Sequence, residues 1–341
     1  MNRIKLFAFA LVISAPFLNS CTTQEAPRKE NAQEARQEKQ REDNKKKIDD
    51  LNHQYPKVPD ERILDNGDGS PVYAELKQRY HDKTAELQKL VEGTGAKMVY
   101  VILTPEVGKG MQNTNRYGLP FIRSTCAELG IECFDFTPLL AGMDPHTFTQ
   151  VPKDGHLSKA GAVFVADHLA PIIRKYYNVK STVTYKDSER PETFGDLPPS
   201  SDEIRDGEKD MPYHVVANSQ GLRMTHDVKF PKKKKHILLM GDSAFFCPFL
   251  NNEFTISAVL EKMFPDAEIM NSGIILYTIE DYVTLWNEKA KYSEPDLVLV
   301  QTNGGDITDF FFSHRNRFSR SQKPFYPSPA EQKFYKETYQ Q

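Results

Sequence analysis

Between His236 and Ser243 the chain reads His-Ile-Leu-Leu-Met-Gly-Asp-Ser, and this stretch restricts the possible folds more than any other. Ile237 to Met240 is a continuous apolar run of the kind found in a strand buried on both faces. It stops at Gly241-Asp242-Ser243, and Glu253–Phe264 then has the pattern of an amphipathic helix. A serine between the carboxyl end of a parallel strand and the next helix sits where open α/β sheets place ligands. Its hydroxyl points into the crevice while nearby backbone N–H groups face a developing oxyanion. Gly-Asp-Ser is also an ordinary turn sequence, so the tripeptide alone decides little.

The surroundings decide more. Asn218-Ser-Gln-Gly-Leu-Arg223 lies upstream and Asn271-Ser-Gly273-Ile downstream, while Pro295-Asp-Leu-Val-Leu-Val300 runs into Gln301-Thr-Asn-Gly-Gly-Asp306. Residues 214–315 resemble the GDSL/SGNH serine esterase superfamily in its usual order. The resemblance implies an α/β three-layer sandwich with a five-stranded parallel sheet, SGNH or flavodoxin-like. It also implies a nucleophile at Ser243, with the Ser243 and Gly273 N–H groups in the oxyanion hole and an Asp/His pair elsewhere. Strands are expected to end near Ser243, Gly273 and Gly305.

The first half alternates helical and strand patterns: helix Val72–Val91, strand Lys97–Thr104, helix Tyr117–Leu129, strand Ile131–Phe136, helix Ala162–Tyr176. That alternation also indicates a parallel sheet. Before the last helix comes Asp154-Gly155-His156-Leu157-Ser158, which resembles the family's Asp/His block. The chemistry needs such a pair: an imidazole takes the serine proton, and a carboxylate fixes its tautomer. The common spacing is Asp-x-x-His, whereas Lys153 holds that position here and Asp154 gives Asp-x-His.

The order departs from the family, because Asp154 and His156 precede Ser243. The first half has no Gly-Asp-Ser strand, and the second half ends without an Asp/His block. The expectation is one circularly permuted domain over residues 56–341. Its Asp/His half would be 56–179, its Gly-Asp-Ser half 213–341, and 180–212 a linker or long surface loop. Similar helix openings at Ser70-Pro71 and Ser328-Pro329 support a shared ancestral cut point. Two degenerate half-domains completed by a partner chain are the rival. The strand ending at Ser243 is expected at the sheet centre, with the strand from Lys97 beside that of Asp296–Val300.

One family feature is missing. Gly305 stands where the family has its oxyanion-hole asparagine, and Asn303 is the side chain that would replace it. A lost donor of this kind costs on the order of a hundredfold in turnover. The alternatives are therefore a protein that keeps the fold but binds an envelope glycan or partner without turnover, or a glycan O-acyltransferase using the same residues.

Residues 1–20 carry Arg3 and Lys5 ahead of the apolar run Leu6–Phe17, the pattern of a secretory signal. Leu18-Asn-Ser-Cys21 resembles the bacterial lipoprotein box, which implies lipidation of Cys21. The implied location is the bacterial cell envelope, anchored to a membrane and facing periplasm or exterior. Residues 21–55 form a polar tether. Without the two basic residues of the signal, 42 Lys and Arg face 47 Asp and Glu, net −5. That balance argues against nucleic acid. The expected partner is an acylated polysaccharide or other ester. No metal or organic cofactor is expected, since Cys126, Cys133 and Cys247 lack ligand spacing. Cys247 as a nucleophile lacks a supporting pattern. Lys232–Lys235 reads as a solvated basic run or a grip on anionic lipid or glycan. Oligomeric state is not legible.

Overall fold

A computed structural model describes residues 71–104, 113–205 and 210–309. The described residues all lie within the unit 50–341. Cys21, the signal, the tether and the Ser328 helix opening fall outside the described residues.

The described chain begins with helix α1 (Pro71–Glu92), strand β1 (Lys97–Ile102), helix α2 (Asn113–Leu129) and strand β2 (Glu132–Asp135). Short helices α3 (Thr137–Leu140) and α4 (Pro145–Phe148) lead to α5 (Lys159–Lys175). Strands β3 (Asp202–Arg205) and β4 (Tyr213–Val216) form an antiparallel pair, and β5 (Lys235–Met240) enters the one-turn helix α6 (Ser243–Phe246). Then follow α7 (Ile256–Met263), β6 (Ala267–Asn271), α8 (Ile279–Glu288), β7 (Leu297–Thr302) and α9 (Asp306–Asp309).

Five strands make one parallel sheet in the order β2-β1-β7-β5-β6. The two halves of the chain join at β1 and β7, where Lys97 pairs with Leu297 and Ile102 with Thr302. β7, rather than β5, is central. β5 lies one place off centre because β6 must pair on its outer side.

Alternation along the strands builds two apolar layers. Tyr100, Ile102, Leu238, Met240, Val298 and Val300 face one layer, shared with Tyr80 and Leu87 of α1, Ile122 of α2 and Trp286 of α8. Val99, Val101, Ile237, Leu239, Leu297 and Leu299 face the other, shared with Val165 and Leu169 of α5 and Leu260 of α7. This is the α/β three-layer sandwich with a five-stranded parallel sheet. Fully burying each such aliphatic side chain contributes about 1.5–3 kcal/mol.

The stretch expected as a linker or long surface loop is bound down along residues 181–197. Ser181 N donates to Asp296 Oδ1 at 2.8 Å, Tyr185 N donates to Glu294 Oε1 at 2.9 Å, and the Arg190 guanidinium pairs with the same carboxylate. Phe194 and Leu197 are buried. Residues 181–190 thus pass the amino end of β7, and Phe194–Ser200 then run against Asn218–Gly221, Phe194 N donating to the Gln220 carbonyl at 2.7 Å. The basic run serves the same region: Lys232 lies 2.8 Å from buried Asp296, Lys234 lies 3.5 Å from Glu268, and Lys235 donates to the Val179 carbonyl. Lys235 thereby fastens the first half to the start of β5, and Lys232 ties the approach to β5 to the start of β7.

Candidate active site

The motifs meet at the carboxyl ends of the strands. β5 is buried throughout and ends at Met240. A Cβ on Gly241 would lie 2.7 Å from Gln301 Oε1 and 2.9 Å from Phe245, so only glycine allows this turn to sit against β7. Asp242 caps α6 by accepting from Ala244 N at 2.7 Å, and its own N–H donates to Gln301 Oε1 at 2.8 Å. Ser243 is half-buried at the first helical position, while its neighbours from Gly241 to Pro248 are buried.

The second component comes from the loop between α4 and α5. Thr149 bridges Leu157, and Gln150 N donates to the His156 carbonyl at 2.9 Å, closing a narrow loop. Ser158 then caps α5 by accepting from Gly161 N at 3.2 Å. A Cβ on Gly161 would come within 2.2 Å of the Phe148 carbonyl, so the helix start is pressed onto α4.

Within that loop Asp154 Oδ1 accepts from His156 N at 2.8 Å and meets His156 Nδ1 at 2.5 Å. An aspartate that bonds the backbone two residues ahead is the ordinary Asx turn, and here it also aligns the ring. The short Asp-x-His spacing is thus compatible with a carboxylate–imidazole pair. His156 Nε2 lies 2.8 Å from Ser243 Oγ. A carboxylate oxygen only accepts, so Nδ1 carries the proton and the Nε2 lone pair faces the hydroxyl. Asp154, His156 and Ser243 therefore form one continuous relay across 87 positions between His156 and Ser243.

The oxyanion donors are arranged differently from the expectation. The Gly273 N–H donates to Asn271 Oδ1 at 3.0 Å. Gly273 is there because its backbone abuts α6; a Cβ would lie 2.6 Å from Phe246 N. The Asn303 amide donates to Asp242 Oδ2 and to Asp306 Oδ1, both at 2.8 Å, while Gly305 N donates to Asn303 Oδ1 at 2.7 Å. Gly273 and Asn303 thus hold the site's frame with the groups expected to meet an oxyanion. The Ser243 N–H stands at a position for which a helix supplies no acceptor of its own.

Sequence reasoning assigned no role to several residues that shape this site. Asp242 is buried beside Asn303, and that burial pushes its carboxyl up to about 6 against the lowering influence of the Ala244 N–H and the His156 charge. Gln301 ties β5 to β1 by accepting from Asp242 N and donating to the Leu103 carbonyl. Arg223 is buried and bonds the Phe246, Cys247 and Leu250 carbonyls and Asn252 Oδ1. Burial lowers its pKa to about 10, so it remains charged at neutral pH. All three stand inside quoted motifs, and nothing in residue type or spacing separates them from their neighbours. The Cys126, Cys133 and Cys247 thiols are free. Burial raises the Cys247 thiol, the opposite of what a thiolate nucleophile needs.

Among the described residues, one group has donor atoms grouped closely enough for a metal ion: His226, Glu261 and Glu268, within 4.8 Å of one another. His226 Nε2 is already 2.9 Å from Glu268 and 3.2 Å from Glu261, and Lys234 also pairs with Glu268. The arrangement is that of an ion-pair cluster.

No family model matches this chain, and no curated protein matches it in sequence. Among solved structures it is similar to the O-acetyltransferase domain of Pseudomonas putida AlgJ, at 10% identity and a TM-score of 0.42. That match covers 79% of this chain and 92% of the other. At such identity and score the likeness says nothing about chemistry.

Proposed function

We propose that this chain is an exported, lipid-anchored serine hydrolase of the GDSL/SGNH type that cleaves carboxylic esters, acetyl groups on glycans foremost. The observation that carries the reading is the relay from Asp154 through His156 to Ser243, at 2.5 and 2.8 Å. In the reaction His156 takes the Ser243 proton as the oxygen attacks the ester carbonyl, and Asp154 stabilises the imidazolium. The Ser243 N–H meets the tetrahedral oxyanion. His156 returns the proton to the departing alcohol, and water repeats the cycle on the acyl-enzyme. A glycan hydroxyl in place of that water would make the same residues an O-acyltransferase.

The proposal takes the chain order as a circular permutation. It is supported by the sheet itself: numbered from β5, the strands run 2-1-3-4-5, the flavodoxin-like order. The site placement is that of the family, with Ser243 after the first strand so numbered and His156 after the last.

Protein lacking residues 1–20 is expected to hydrolyse p-nitrophenyl acetate, and Ser243→Ala to abolish the activity. Equal rates for the two proteins would remove the assignment. The anchor is tested separately: Cys21→Ser should shift the full chain from the membrane fraction to the soluble one.

A further inference from the structure

After α6 the backbone does something unusual. Cys247 and Phe249, neither of them glycine, both adopt left-handed conformations, with φ of 58° and 62°. Each such residue costs on the order of 1–3 kcal/mol and persists only where its surroundings over-determine it. Here the surroundings are largely one side chain. Arg223, 2% exposed, donates to the carbonyls of Phe246, Cys247 and Leu250, bracketing both residues, and its Nε donates to Asn252 Oδ1 at 3.1 Å. Among the described residues no carboxylate accepts a hydrogen bond from it, and this buried cation is matched by the carbonyls it gathers and by the Phe246 ring, 4.5 Å from its guanidinium carbon.

The product of that strain is the placement of Phe249. Between Gly241 and Leu250 only Ser243 and Phe249 are half-buried rather than buried. The Phe249 ring lies 6.3 Å from the His156 imidazole, and Tyr213 of β4 backs it edge-on at 5.5 Å. In acyl transfer by such a relay the leaving oxygen receives its proton from the imidazole, so the alcohol portion of an ester lies on the imidazole's side.

We propose that Phe249 is a wall of the leaving-group subsite that favours ring-shaped alcohols, and that Arg223 is the positioning residue that holds it there. This rests on the serine hydrolase reading and narrows it. A pyranose or aryl ring presents a flat C–H or π surface to Phe249, whereas a short chain alcohol does not. The wall should therefore raise the rate on ring-bearing esters relative to small ones.

The test compares a monoacetylated methyl glucoside with ethyl acetate, which share the acyl group and differ in the alcohol. Phe249→Ala should lower kcat/KM on the sugar ester about tenfold relative to ethyl acetate, the upper end of one aromatic contact. Phe249→Tyr should restore the ratio, and Arg223→Lys, with one nitrogen for four acceptors, should shift it as Phe249→Ala does. Thermal midpoints separate this from misfolding, and the half-buried Phe249 variants decide the question if Arg223→Lys does not fold. An unchanged ratio in Phe249→Ala overturns the wall and leaves the hydrolase standing. Should the wild type cleave neither ester and take no fluorophosphonate label at Ser243, the hydrolase reading fails and the wall with it. Arg223's hold is then read by NMR: the His156 ring-proton resonances should move in both Phe249→Ala and Arg223→Lys, and unmoved resonances overturn the positioning role.

Discussion

Asp242 Oδ2 and Asn303 Nδ2 lie 2.8 Å apart across the carboxyl ends of β5 and β7, and the same amide reaches Asp306 Oδ1 at 2.8 Å. One neutral side chain thus stands between two buried carboxylates. Asn303→Ala strips a donor from each, and an unsatisfied buried acceptor costs about 1–3 kcal/mol. We expect the thermal midpoint to fall by several degrees in Asn303→Ala. It should fall further in Asn303→Asp, where three carboxylates would crowd together. A calorimetric scan checks the order; Asn303→Asp matching the wild type would contradict it.

Asp242 makes stability depend on pH in an identifiable direction. Its carboxyl is raised from 3.8 to about 6, burial being the main cause. The folded protein therefore holds this proton more tightly than the unfolded chain does. The group's contribution is full below pH about 4 and is lost as pH rises through about 6. In urea titrations the stability of wild type minus that of Asp242→Asn should fall across this window and level off by pH about 7. A difference that rises over the same range would show a carboxyl shifted the other way.

The relay predicts a hierarchy of defects. Ser243→Ala and His156→Ala should each remove ester hydrolysis, and the double variant should be little worse, because the residues act as a unit. Asp154→Asn should retain the fold and lose activity about ten-thousandfold, since an amide no longer fixes the Nδ1 proton. Initial rates with p-nitrophenyl acetate discriminate these outcomes. Additive losses in the double variant would mean that the groups work independently.

Gly118 on α2 bears on the site from a distance. A Cβ there would lie 2.1 Å from the Gly304 carbonyl, backbone against backbone. Gly118→Ala must therefore displace the 303–305 loop or the helix, and a lowered midpoint with impaired hydrolysis is expected. Wild-type values for both would show that the contact yields easily.

Much of this arrangement was readable in the sequence, for a physical reason. β1, β5 and β7 are buried on both faces, so they appear as unbroken apolar runs. Ser243 and His156 stand at chain reversals whose glycine, aspartate and serine signals survive without tertiary context. The β3–β4 pair was not readable, because Asp-Glu-Ile-Arg in β3 is mostly exposed and shows no apolar face. The stretch after residue 180 reads as a linker or surface loop for a related reason: Arg190 and Asp196 have partners at Glu294 and Lys289, far along the chain. Nor does Cys-Pro-Phe announce two left-handed residues, since the Arg223 contacts that hold them are tertiary.

The register of β1 on β7 also dictates when the sheet can exist. Lys97 waits for Leu297, so a strand made early has no partner on that side until most of the chain has been synthesised. At roughly 5–20 residues per second the interval is on the order of 10–40 s. During it the edge of β1 opposite β2 has no β7 to pair with, and parallel pairing over such a distance forms slowly. Folding of this chain is thus a late event, triggered by its second half, and the first half must remain unaggregated until then.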